Sequence, residues 1–158
     1  MAAASTSENP LKQYYQLVVD TSGETSVVTR DFTNVEAIGY SNVPQFCRSL
    51  DEKVAAPTGV VFTQMSGDNP WHHCPTAQIV VCLRGTWFVR TTDGVTTELK
   101  QGDVLFQDNT PEHLAAKPGT HQAMHFSGVV GATCDQMIVQ LSQPRGPVPD
   151  SKSAPGPL

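Results

Sequence analysis

Residues 78–107, QIVVCLRGTWFVRTTDGVTTELKQGDVLFQ, decide the fold. β-branched and aromatic residues come there in short runs, 78–83, 86–91, 96–99 and 103–107, cut by Arg84-Gly85, Asp93-Gly94 and Gln101-Gly102. Asp-Gly between two such runs supplies the positive φ that a tight hairpin turn needs. The same grammar continues outward. Val60 to Met65 precedes the stretch, and His121 to Ser127 and Gln136 to Leu141 follow it. Tyr14 to Asp20 and Thr25 to Thr29 flank a turn at Ser22-Gly23 and read as a hairpin. Evenly spaced short strands with glycine turns and no intervening helical period predict an all-β sandwich or barrel. Residues 31–58 are ambiguous between a short helix and an irregular excursion.

The 158 residues suffice for one domain with one core. The expected division is a flexible N-terminus over 1–12, a β domain over 13–143 and a Pro-rich, disordered tail over 144–158, since proline cannot support ladders or helices. Lys and Arg number 10 against 15 Asp and Glu, a net charge of −5. Nucleic acid and anionic membranes demand the opposite balance. No apolar run approaches the ~20 residues of a membrane-spanning helix, and residues 1–10 lack the basic and apolar regions of a signal peptide. Cys47, Cys74, Cys82 and Cys134 form no CxxC pair, so zinc-knuckle and thioredoxin chemistry are absent and reduced thiols in the cytoplasm are expected.

All five histidines lie between positions 72 and 125. His72 and His73 sit in Asn69-Pro70-Trp71-His72-His73-Cys74-Pro75, which leads through Thr76 and Ala77 to Gln78; Gly102-Asp103 opens a later strand, with His113 eleven residues after the glycine. Strand alternation separates His72 from His73, whereas one extra residue in a bulge lets both point inward. His121 and His125, four apart, share one face of their expected strand, and His125, among apolar neighbours, is read as an inward residue that relays a proton near neutral pH. Glu112 beside His113 is a second acid–base candidate. Trp71, Trp87, Phe62 and Phe106 are read as packing residues. GxSxG, Walker and GxGxxG motifs are missing.

Residues 59–127 resemble the cupin superfamily. Its first motif is a glycine, a spacer, His-x-His, three or four residues, Glu, six residues and Gly; its second is Gly, five residues, Pro-x-Gly, two residues, His. Here Gly67, Gln78 and Gly85 fall on the first, with Gln78 in place of the glutamate. Gly102 and His113 fall on the second, with Asp108-Asn109-Thr110 in place of Pro-x-Gly. The resemblance implies a cupin β-barrel, the double-stranded β-helix or jelly roll. It also implies a divalent transition metal held by His72 or His73, His113 and, as ligand or hydrogen-bonder, Gln78. Without a carboxylate the site would favour iron foremost, then nickel, zinc or copper, over manganese. The implied function is a metal-dependent oxidoreductase, dioxygenase-like, acting on a small organic substrate of aromatic or polyketide-like character. Two alternatives stay open: a lyase, isomerase or cyclase that uses the metal as Lewis acid or uses none, and a non-catalytic small-ligand binder. Open β edges would suit a homodimer.

Overall fold

The computed structural model describes residues 11–39, 42–43, 45–49, 55–142 and 156–158. The described residues are all-β. Ten strands follow in order: β1 (Tyr14–Val19), β2 (Thr25–Arg30), β3 (Glu36–Ile38), β4 (Gln45–Cys47), β5 (Pro57–Met65), β6 (Asn69–His72), β7 (Gln78–Thr91), β8 (Thr96–Lys100), β9 (Val104–Gln107) and β10 (His125–Leu141). The ambiguous 31–58 segment contributes β3 and β4, which pair with each other as a separate two-stranded sheet. Among the described residues no helix is long and apolar enough to cross a membrane.

The other eight strands form one mixed sheet in the order β2-β1-β9-β7-β10-β5, with β6 added on β10 and β8 on β7. Among the described residues the sheet is not closed; β2 and β5 end its main order, and β6 and β8 each pair on one side only. Both expected hairpins are present. Asp20 Oδ1 accepts the Ser22 and Glu24 N–H groups at the first turn, and Asp93 Oδ1 accepts the Val95 N–H at the second, the local side-chain bonding that makes Asp a turn residue.

Two expectations about the spine need correction. Arg84-Gly85 does not reverse the chain: 78–83 and 86–91 are one bent strand, β7. His121–Ser127 and Gln136–Leu141 are likewise not separate, because β10 runs unbroken from His125 to Leu141. The ladder between them is irregular from Val130 to Gln136, and Gly85 (φ 85°) sits at that bend, its missing Cβ leaving room for the Thr133 carbonyl. Each half of the bent pair thus recruits its own neighbours, β9 and β5 on one half, β8 and β6 on the other.

Period-2 alternation fills two cores. Leu17, Val80, Trp87, Val89, Leu99 and Leu105 pack on the inner face; Tyr14, Ile79, Phe106 and Leu141 pack on the other with Leu158. The tail expected to be loose therefore returns to the fold at its end. Leu158 is buried, its carbonyl accepts from Thr33, and its N–H reaches the Tyr14 hydroxyl. Residues 143–155 and 1–10 lie outside the described residues, while Lys12 ion-pairs with Asp103 at 2.6 Å. Phe62, read as a packing residue, is instead 72% exposed on edge strand β5.

Candidate functional site

The two halves of the bent β7–β10 ladder enclose a cavity of about 230 Å³. Its floor is a row of glutamines. In the register Gln78 of β7 stands opposite Gln107 of β9 on one side and Gln140 of β10 on the other. Gln136, four residues back along β10, falls on the same face as Gln140. Gly59, opposite Gln140, leaves space that a Cβ would take from the Gln140 amide. Gln78, Gln107 and Gln136 are all more than 90% buried. No hydrogen bond joins any of these four carboxamides to another described residue, and Gln107 Oε1, Gln136 Nε2 and Trp87 Nε1 are buried without a partner. Among the described residues the lining holds no Asp, Glu, Lys or Arg.

The opposite wall carries two imidazoles. β6 and β10 pair His72 with His125 and Asn69 with Ser127, so three residue steps on β6 face two on β10. This bulge turns both Asn69 and His72 to the cavity. The His72 and His125 rings lie 4.2 Å apart, tilted 56°. His72 donates Nδ1–H to the Pro70 carbonyl (2.7 Å), which leaves Nε2 to accept from Asn69 Nδ2 (3.1 Å). Both nitrogens of this ring are thus engaged. Burial pushes the His72 pKa down, opposed by the Pro70 bond, with nearby His73 lowering it further. At His125, which is 2% exposed, burial pushes it down to about 3, helped by His72 and His73. That imidazole is neutral in the range where a proton carrier would titrate.

The remaining site candidates lie elsewhere. His73 and His113 do not line the cavity. His73 is near enough to lower the pKa of His113, after burial, and its Nε2 is buried without a partner among the described residues. His113 Nδ1 accepts the Ala115 N–H within a turn, and Glu112 is exposed in the same turn. His121 precedes β10 instead of sharing its face with His125; it stacks on Trp71 at 4.9 Å on the outer surface. A transition metal needs three or four lone pairs converging on one point. Among the described residues no three of His, Cys, Asp and Glu are so grouped, and His72 has no free lone pair. As arranged, His72, His73, Gln78 and His113 do not fit the metal that the resemblance implies.

Gln107, Gln136, Gln140 and Asn69 were absent from the sequence-based candidates. A signal existed: strand alternation sets Gln78 beside Val80 and Gln136 beside Ile138, polar residues at core positions.

No family model and no curated protein matches the chain. Solved structures similar to it include a cupin-2 domain protein from Shewanella frigidimarina, 18% identical over 54% of this chain and 69% of that one, with a TM-score of 0.38. A cupin domain from Bordetella pertussis is 17% identical over 60% and 99%, with a TM-score of 0.35. Protein YhaK from Escherichia coli is 19% identical over 66% of this chain and 46% of its own, with a TM-score of 0.40.

Proposed function

We propose that this chain is a small-ligand-binding protein of the cupin type whose cavity takes a neutral organic molecule bearing both hydrogen-bond donors and acceptors, such as a lactam, a carboxamide or an enol–ketone. One observation carries the reading: four glutamine carboxamides face one cavity with no partner among the described residues. A buried amide left unsatisfied costs about 1–3 kcal/mol, so the three buried ones in one place, Gln78, Gln107 and Gln136, call for water or a ligand to complete them. The absence of charge in the lining sets the ligand's character. An ion would leave water for a site with no counter-charge, a cost far above that of a neutral polar molecule. The volume suits a small molecule, below the roughly 300–1,000 Å³ typical of drug-sized sites.

The oxidative, metal-dependent reading would need the ring of His72 or His73 to meet that of His113 beside Gln78, and His113 does not line the cavity, so binding is the reading taken here. A non-redox lyase, isomerase or cyclisation step on the bound molecule is the second reading. It is favoured by the neutral imidazole of His125, which could polarise a ligand carbonyl by donating to it.

Thermal melting in the presence of small probes tests the proposal. Neutral lactams such as 2-piperidone should raise Tm, acetate and piperidinium should not, and Gln136→Leu should abolish the response. A stabilisation by Fe(II), Ni(II) or Zn(II) that disappears in His73→Ala and His113→Ala, with no response to any neutral probe, would replace this reading with the metal-binding one.

A further inference from the structure

The wall of the cavity contains a device that fixes one proton. Asn109, fully buried in the segment after β9, donates both hydrogens of Nδ2: one to the Ala123 carbonyl (2.9 Å) and one to His125 Nδ1 (3.0 Å). The amide cannot be turned round, because that would set Oδ1 against the Ala123 carbonyl oxygen, two acceptors face to face. Since Nδ2 can only donate, His125 Nδ1 must accept, and the single proton of the neutral ring lies on Nε2. Asn109 is not part of the cavity lining, whereas His125 is. The nitrogen bound to Asn109 therefore faces the protein. Nε2, which has no hydrogen-bond partner among the described residues, is the ring's opening to the cavity.

The backbone around this contact is strained to make it. Ala123 has φ 59°, a left-handed conformation unusual for a residue with a Cβ. It is held there on both sides, its N–H bonded to the Gly23 carbonyl (2.8 Å) and its own carbonyl to Asn109. The strained residue immediately precedes Met124 and the first residue of β10, so the same amide that sets the proton also sets where His125 enters the strand.

We infer that Asn109 is a positioning residue that fixes His125 as an Nε2–H donor toward the cavity, so that the pocket selects a ligand presenting a lone pair, such as a carbonyl oxygen, at that point. The selection rests on the ligand-binding reading given above; the role of Asn109 does not. The glutamines accept and donate alike, whereas this N–H, like the unpartnered indole N–H of Trp87 in the same lining, can only donate. A ligand edge offering only donors there would meet hydrogen against hydrogen.

Long-range ¹H–¹⁵N correlation on ¹⁵N-histidine-labelled protein reads the tautomer, with His125→Gln identifying the ring. The expected result is Nε2–H in the wild type and a proton on Nδ1 in Asn109→Asp, whose carboxylate accepts from that nitrogen. A merely structural Asn109 would not move this signature. Where Asn109→Asp does not fold, Asn109→Leu removes the donor without adding charge and should give a mixture of the two tautomers. On adding 2-piperidone the wild-type Nε2–H should shift, and binding should weaken about tenfold in the Asn109 variant, the worth of one hydrogen bond. A wild type protonated on Nδ1, or an unchanged tautomer in a folded variant, overturns the role of Asn109. A ring that 2-piperidone leaves unshifted, with the tautomer still governed by Asn109, overturns the ligand reading and leaves that role standing.

Discussion

At the scale of single residues, burial shifts His125 and Asp108 toward their neutral forms, and linkage gives them opposite pH dependences. His125 is pushed down from 6.5 to about 3 by burial, so its contribution to stability is complete above pH 6.5 and is lost as pH falls toward 3. Asp108 is pushed up from 3.8 to about 6, again by burial; its contribution is fullest below 3.8 and is lost as pH rises through 6. Asp108→Asn should therefore leave stability unchanged near pH 3.5 and raise it by about 2 kcal/mol above pH 7, measured by urea unfolding at both values; equal effects at both would contradict the burial of this carboxyl. Some of the site is legible at this scale. His72, Gln78 and His125 follow from motif spacing and alternation, and all three reach the cavity. His113 keeps the motif spacing, but the turn after Thr110 carries it and neighbouring Glu112 away from the lining. The glutamine row escaped because an amide has no chemistry of its own; only its position among apolar neighbours marks it.

Among the elements, glycine spacing gives the strands correctly and the connections only in part. Asp93-Gly94 joins β7 to β8 as a hairpin, whereas Arg84-Gly85, equally turn-like in sequence, is a bend inside β7. The difference lies in what each glycine touches. At Gly94 (φ 84°) nothing lies within 4 Å of an added Cβ, but at Gly85 the Thr133 carbonyl oxygen would be 2.5 Å away, on the partner strand. Gly94→Ala should cost about 1–2 kcal/mol from backbone conformation alone, and Gly85→Ala upward of about 3 kcal/mol because the bent ladder must shift as well. Differential scanning calorimetry of the two variants compares them directly; equal losses would mean that the bend tolerates a side chain. The length of β10 is hidden in the sequence for a related reason. The interval 128–135 falls between the two short strands expected from sequence, yet Gly128 to Val130 pair with β7 and Cys134 and Asp135 pair with β5, which carries β10 across an irregular stretch at 131–133.

For the whole molecule, period-2 patterning was enough to predict an all-β chain with an inner core, but not the second core on the opposite face. That core is completed by a residue far away in sequence, Leu158, against Tyr14 and its neighbours. Proline content describes what a segment cannot form, and says nothing of where an apolar residue after it will dock. Leu158→Ala should cost about 1–3 kcal/mol in urea unfolding, with no effect on ligand binding, since the cavity lies on the other face; a neutral substitution would mean that the terminal contact contributes nothing. The central claim is that a cavity whose described lining carries no charge, floored by carboxamides without partners among the described residues, takes a neutral donor–acceptor ligand. Side-chain NH₂ resonances in ¹H–¹⁵N spectra during titration with 2-piperidone test it most directly. Gln78, Gln107 and Gln136 should shift together with one Kd, while Gln16, bonded to Arg30 on another part of the sheet, stays still. Glutamine signals that do not move, or that move no more than that of Gln16, would contradict it.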